Sequence, residues 1–141
     1  MLIRHYERRT LYRSEFPPLK GTRILVAEDE VVIAMMLEDT LIDAGALVLG
    51  PVISVRDALR MVDMALGDGG ISAAVLDVQL RDGKAIRVAD LLRERGVPFL
   101  FATAYDGNPA VEGYGGVPVL CKPYGPEDLI RTVEGLCRAQ T

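Results

Sequence analysis

Ile24-Leu25-Val26-Ala27-Glu28-Asp29-Glu30 is the stretch that decides the fold, because four apolar residues run without interruption into three acids. The same grammar recurs three times. Ala73-Ala74-Val75-Leu76 leads to Asp77, Phe99-Leu100-Phe101-Ala102 leads to Thr103, and Val117-Pro118-Val119-Leu120-Cys121 leads to Lys122. Short apolar runs with helical segments between them read as buried parallel strands. The carboxyl ends of such strands converge on one crevice, where ligands bind. The pattern therefore predicts three carboxylates, a hydroxyl and an ammonium gathered at one edge of a sheet, a set suited to holding a cation and moving a phosphoryl group.

Working outward, 141 residues at 50% hydrophobic content are enough for one domain with a sizeable core. A net charge of −4 leaves no electrostatic footprint for nucleic acid, although Arg4, Arg8, Arg9, Arg13 and Lys20 make the opening segment locally basic. Cys121 and Cys137 have neither metal-ligand nor disulfide-framework spacing and read as small core residues in a reducing cytosol. The start lacks the apolar stretch of a signal peptide, and the longest clean apolar run, Val31 to Leu37, is too short to span a bilayer. A cytoplasmic chain with no membrane insertion is expected.

Residues 1–20 end in Phe16-Pro17-Pro18 and read as an extension outside the fold, which occupies 21–141. A strand over 23–27 is followed by a helix from about Glu30 to Ala44, with Gly45 at its C′ position. Leu47 to Val52 is the next strand. Ser54 with Asp57 resembles a capping box opening a helix to about Leu66, and Gly67-Asp68-Gly69-Gly70 ends it. A strand from Ile71 to Leu76, a loop through Asp82-Gly83 and a helix to Arg95 follow, then a strand over 97–102. The segment 106–116, with Asn108-Pro109 and four glycines, has room only for a short or loose fourth helix before a strand at 117–121. Pro126 opens the last helix, with apolar residues at Leu129, Ile130, Val133, Leu136 and Cys137. The alternation predicts an α/β fold: a doubly wound, five-stranded parallel sheet with helices on both faces. In the first helix Ile33, Leu37 and Leu41 suit the sheet. Val32, Met35 and Met36 are left over, with deeper burial as the expectation and a docking surface as the alternative. Gly67 to Gly70 and Gly113-Tyr114-Gly115-Gly116 are expected to be flexible connections.

Crowded carboxylates repel, at a cost that a proton or a divalent cation relieves. Mg²⁺ suits oxygen ligands and keeps several waters. The expected ligands are Asp29 and Asp77 directly, Glu28 through water, and the main-chain carbonyl of Gln79. Asp77 is also the candidate nucleophile, with Thr103 and Lys122 facing the charge that collects on the phosphoryl oxygens. Any one of these residues alone would be a turn former, a strand threonine or a solvated lysine. Their placement after four separate strands is what favours chemistry.

Residues 24–30, Val75-Leu76-Asp77-Val78-Gln79-Leu80-Arg81-Asp82-Gly83, Phe101-Ala102-Thr103-Ala104-Tyr105 and Cys121-Lys122-Pro123-Tyr124 together resemble the receiver domain of bacterial response regulators, from about Thr22 onward. The resemblance implies a flavodoxin-like fold in which Asp77 accepts a phosphoryl group from a histidine kinase or histidine phosphotransfer protein. It also implies Mg²⁺ at Glu28 and Asp29, Thr103 as switch hydroxyl, Lys122 as the phosphate-pairing cation, and a Lys122-Pro123 bond that is often cis. Many receivers carry a switch aromatic three residues before the lysine, where this chain has Val119. Phe-Ala-Thr-Ala-Tyr instead resembles an alphaproteobacterial subset with Phe-Ala-Thr-Gly plus an aromatic, so Tyr105 becomes the candidate mobile ring. The expectation is a stand-alone, phosphorylation-dependent switch that is not an enzyme in its own right and acts through a downstream protein partner, with homodimerisation left open. An aspartyl-nucleophile phosphatase of the haloacid-dehalogenase type is the enzyme alternative, but Glu28-Asp29-Glu30 does not supply its D-x-D motif. A receiver-like interaction module that is never phosphorylated is the other alternative.

Overall fold

The computed structural model describes residues 17–104 and 111–139. The arm 1–16 and the candidate switch ring Tyr105 lie outside the described residues. Strands β1 (Arg23–Ala27), β2 (Leu47–Val52), β3 (Ala73–Asp77), β6 (Phe99–Thr103) and β7 (Val119–Cys121) form one parallel sheet in the order β2-β1-β3-β6-β7. The helices among the described residues are α1 (Val31–Asp43), α2 (Val55–Leu66), α3 (Ile86–Glu94) and α4 (Pro126–Ala139). Between β3 and α3 the expected loop contains a small antiparallel pair, β4 (Gln79–Leu80) with β5 (Gly83–Lys84). This is the doubly wound, five-stranded parallel sheet that the alternation predicts. None of the described helices is long and apolar enough to cross a membrane.

Alternate residues of each strand face opposite sides. Leu25, Leu76 and Phe101 pack with Val62 of α2 and Val88 and Leu92 of α3 in one core. Ile24, Val75 and Leu100 pack with Leu37 and Leu41 of α1 and with Leu129, Ile130 and Val133 of α4 in the other. The parallel register then sets the edge. Ala27 pairs with Leu76, so Glu28 and Asp77 leave neighbouring strands side by side. Thr103 pairs with Cys121, and the Lys122 N–H donates to the Thr103 carbonyl at 2.8 Å.

Several boundaries differ from the expected ones for local reasons. β6 starts at Phe99 and β7 at Val119, each just after a proline that has no N–H for the ladder. Those prolines still contribute acceptors: the Pro98 carbonyl takes the Ala74 N–H at 3.0 Å and the Pro118 carbonyl the Phe101 N–H at 2.9 Å. β3 starts at Ala73 because the preceding glycine turn wraps around Arg23. The Arg23 guanidinium donates to the carbonyls of Gly70 (2.8 Å) and Asp68 (2.6 Å). Gly69, at φ +99°, holds a backbone conformation that side-chain-bearing residues rarely adopt, and a Cβ there would sit 2.7 Å from the guanidinium carbon and displace it. The 67–70 turn is thus pinned, not a loose connection. Tyr114 is likewise anchored: its ring is buried edge-on to Phe99 and Phe101, its hydroxyl donates to Asp90, and Arg93 lies 5.0 Å over its face. The described part of the glycine-rich segment, from Val111 onward, is turns.

Two further findings concern α1. Leu19, assigned from sequence to the extension, is wholly buried, and its N–H donates to the Ala44 carbonyl at 2.7 Å. Val31, Val32, Met35 and Met36 are exposed, which overturns the expectation of deeper burial. α2 starts as the Ser54 and Asp57 spacing predicts, with Ser54 Oγ accepting the Asp57 N–H at 3.0 Å. Asp82 adds a second cap from a distant loop, accepting the N–H groups of Val55 (2.6 Å) and Arg56 (3.2 Å).

Candidate functional site

The carboxyl ends of β1, β3 and β7 bring Glu28, Asp29, Asp77 and Lys122 together. One oxygen from each of the three acids lies within 4.8 Å of the others. Glu28 is completely buried, Asp77 is nearly so, and Asp29 is half-buried at the mouth. Backbone donors hold two of the acids. The Glu30 N–H donates to Glu28 Oε2 at 3.1 Å, and the Gln79 N–H donates to Asp77 Oδ1 at 3.2 Å. Each acid thus turns one oxygen onto the chain two residues ahead and keeps the other for the centre of the site.

Lys122 fills that centre. Its Nζ is 2.8 Å from Glu28 Oε1, 3.1 Å from Asp77 Oδ2 and 3.7 Å from Glu30 Oε1. The contact with Asp77 is a hydrogen bond, whereas that with Glu28 Oε1 is an ion pair without hydrogen-bond alignment. Burial pushes the Glu28 carboxyl up to about 7, and its neighbour Asp77 pushes the same way against the opposing pull of Lys122. Burial also works against the Lys122 ammonium, but its close contacts with the Glu28 and Asp77 carboxylates outweigh that and hold it above its ordinary value. The lysine stays charged between two carboxylates that repel each other.

Thr103 is buried at the end of β6, tied to Lys122 through its carbonyl. Gln79 opens β4, and its side-chain amide donates to the Leu80 carbonyl at 3.1 Å, leaving the backbone to face Asp77. Two neighbours carried no role in the sequence reading. Glu30 supplies the third carboxylate near Lys122. Tyr124 has a buried hydroxyl with no hydrogen-bond partner among the described residues, and burial raises it to about 12. Its position in Cys121-Lys122-Pro123-Tyr124, directly after the cis Lys122-Pro123 bond, was the available signal. Tyr124 lines a groove of about 510 Å³ between α1 and α4, with Ile33, Met36, Lys122 and Leu129 among its walls.

Three carboxylate donors and no nitrogen or sulfur ligand make an all-oxygen set, which fits a hard divalent cation such as Mg²⁺. Among the described residues no other group of acids, histidines or cysteines converges in this way.

No family profile matches the chain. The transcriptional regulatory protein PdtaR of Mycobacterium tuberculosis is 28% identical over 117 residues, covering 79% of this chain and 55% of PdtaR, so the chain spans about half the length of that relative. The solution structure of SdrG from Sphingomonas melonis Fr1 is 41% identical and superposes with a TM-score of 0.70, covering 82% of this chain and 95% of SdrG. A response regulator receiver protein from Sinorhizobium medicae WSM419 is 28% identical with a TM-score of 0.74, covering 87% of this chain and 99% of that one. A backbone likeness over more than four-fifths of the chain, joined to this level of identity, makes the chain a member of the response-regulator receiver domains of two-component signalling.

Proposed function

We propose that this receiver domain is a switch phosphorylated on Asp77, with a histidine kinase or a histidine phosphotransfer protein as donor and a protein partner as its downstream target. The observation that carries the reading is the Lys122 ammonium 3.1 Å from Asp77 Oδ2, inside a buried cluster of carboxylates. A structural aspartate at a strand end would be capped by backbone donors and left to water.

The step is an in-line displacement. A carboxylate oxygen of Asp77 forms a bond to phosphorus as the bond from phosphorus to the donor nitrogen breaks, and the electron pair leaves with the imidazole. Lys122, already charged and already beside Asp77, faces the charge on the phosphoryl oxygens as they arrive. Thr103 offers its hydroxyl from the neighbouring strand as the switch group. Mg²⁺, held by Asp29 and Asp77 with Glu28 behind them and the Gln79 carbonyl alongside, would supply charge neutralisation at those same oxygens. Asp29 suits direct ligation, being half-buried at the mouth, while both Glu28 oxygens already face Glu30 and Lys122. Tyr105 is proposed as the ring that follows Thr103.

The test is intact mass after incubation with acetyl phosphate, with and without Mg²⁺. A gain of one phosphoryl group that needs the metal is the expected result. A chain that stays unmodified under both conditions would leave the unphosphorylated interaction module as the better reading.

A further inference from the structure

Five exposed cations, Arg56, Arg60, Arg81, Lys84 and Arg87, gather where the start of α2, the β4-β5 hairpin and the start of α3 meet. Among the described residues none of them makes an ion pair. Farther along, where α2 and α3 offer each other opposite charges, they do pair, as Arg95 and Asp63 show at 3.9 Å. Arg56, Arg60, Lys84 and Arg87 line one cleft of about 640 Å³, with Leu59 as an apolar wall and Asp82 as its one acid. An adjoining hollow of about 470 Å³ shares Arg56, Arg60 and Asp82 and adds Arg81 and Asp57. Asp82 turns both oxygens onto the Val55 and Arg56 N–H groups, and Arg87 reaches it only as a weaker charge.

The fold's own electrostatics disfavour this arrangement. Arg56 and Arg60 are like charges one helical turn apart, and Arg56 and Arg87 each stand in the first turn of a helix, where the macrodipole repels a cation. α4 shows the ordinary choice, with Glu127 and Asp128 in its first turn. The backbone beneath the cations is fixed, since the Arg81 N–H donates to the Ile53 carbonyl at 3.1 Å and the Ala85 N–H to the Val78 carbonyl at 2.8 Å. An incoming anion would complete such a setting.

We propose that this cleft binds a small molecule carrying two or more adjacent phosphate groups, either inorganic or part of a nucleotide. Arginine forks match phosphate oxygens in pairs, and Lys84 adds a point charge. The cleft has the volume of a small-ligand site, and the chain's net charge of −4 opposes a long polyanion such as a nucleic acid. An acidic peptide spreads its carboxylates one to a residue, whereas a phosphate chain brings its charges within reach of one cleft. The site uses none of Asp77, Thr103 and Lys122, and it stands whether or not Asp77 accepts a phosphoryl group.

Calorimetry of the full chain in resin-treated, metal-free buffer at physiological salt tests the proposal, with pyrophosphate, ADP, orthophosphate and a hexaglutamate peptide as probes. Pyrophosphate and ADP should each bind one to one and roughly tenfold tighter than orthophosphate. Pyrophosphate binding at least as tightly as ADP places recognition in the phosphate chain alone, and tighter ADP adds a contact to the nucleoside. Arg60→Gln/Arg87→Gln should weaken both by roughly tenfold or more without lowering the ligand-free melting temperature. Arg131→Gln, which removes an exposed charge from α4, should leave both unchanged. The proposal is overturned if neither compound binds, if orthophosphate binds as tightly as pyrophosphate, or if binding survives the double variant. Hexaglutamate binding where pyrophosphate does not also overturns it, making the cleft a docking surface for an acidic protein segment.

Discussion

Asp82 and Glu28 sit beyond neighbouring strand ends at the same edge of the sheet, and the fold treats their carboxylates in opposite ways. Asp82 turns both oxygens onto the first amides of α2, and the Val55 and Arg56 N–H groups hold its carboxyl below the ordinary value. Glu28 is buried beside Asp77 with one lysine between them, and its carboxyl is pushed up to about 7. The difference teaches how to tell a carboxylate that supports the fold from one that belongs to the proposed metal site. The first meets backbone donors at a helix start, where the unpaired N–H groups favour negative charge. The second is packed against its own kind, and its repulsion is left for a cation to relieve.

The largest expected effect tests the chemical side of that contrast. Asp77→Asn should abolish the Mg²⁺-dependent mass gain from acetyl phosphate, because an amide is no nucleophile here, whereas Asp82→Asn should leave it intact. Phosphate retained by the Asp77 variant would move the acceptor elsewhere.

Lys122→Met comes next. Losing the cation leaves two buried carboxylates facing each other, and breaking such a buried pair costs about 3 kcal/mol or more. The metal-free melting temperature should therefore fall, and Mg²⁺ should restore part of the loss. If Mg²⁺ gives no recovery, the three acids are not acting as one site.

Mg²⁺ affinity should also depend on pH. Glu28 in the folded chain binds its proton up to about 7, against an ordinary value of 4.5. Its contribution to metal-free stability is therefore full below 4.5 and is lost as pH rises through about 7. A cation competes with that proton, so calorimetric Mg²⁺ affinity should climb as pH approaches 7 and level off above it. Glu28→Gln should flatten the profile, and a wild-type profile already flat below 7 would separate Glu28 from the metal.

The smallest effect belongs to the structural carboxylate. Asp82→Ala should lower the melting temperature modestly and speed hydrogen exchange at Val55 and Arg56, with phosphorylation unchanged. The carboxylate's contribution is present above its ordinary value of 3.8 and is lost as pH falls through its lowered folded value. Unchanged exchange at those two amides would mean that Ser54 caps α2 by itself.

Much of the architecture was legible in the sequence because short apolar runs, helix period and the Gly45 stop are local properties of the chain. The edge was legible for a related reason: in a parallel sheet a polar residue just past each apolar run must emerge at the same end, and Glu28, Asp29, Asp77 and Lys122 do meet there. Tertiary structure alone decided the rest. Asp82 reaches an amide 27 residues away, Arg23 pins a turn 45 residues on, and Tyr114 is buried by rings from another strand. Leu19 looked like part of a polar arm until the end of α1 covered it. Met35 and Met36 carry the same side chain as a core methionine, and only the direction α1 presents to the sheet leaves them outside. Short-range pattern determines which elements form and where they stop. Which distant group satisfies a given polar atom, and which apolar surface remains open, follow from packing that no window of the sequence contains.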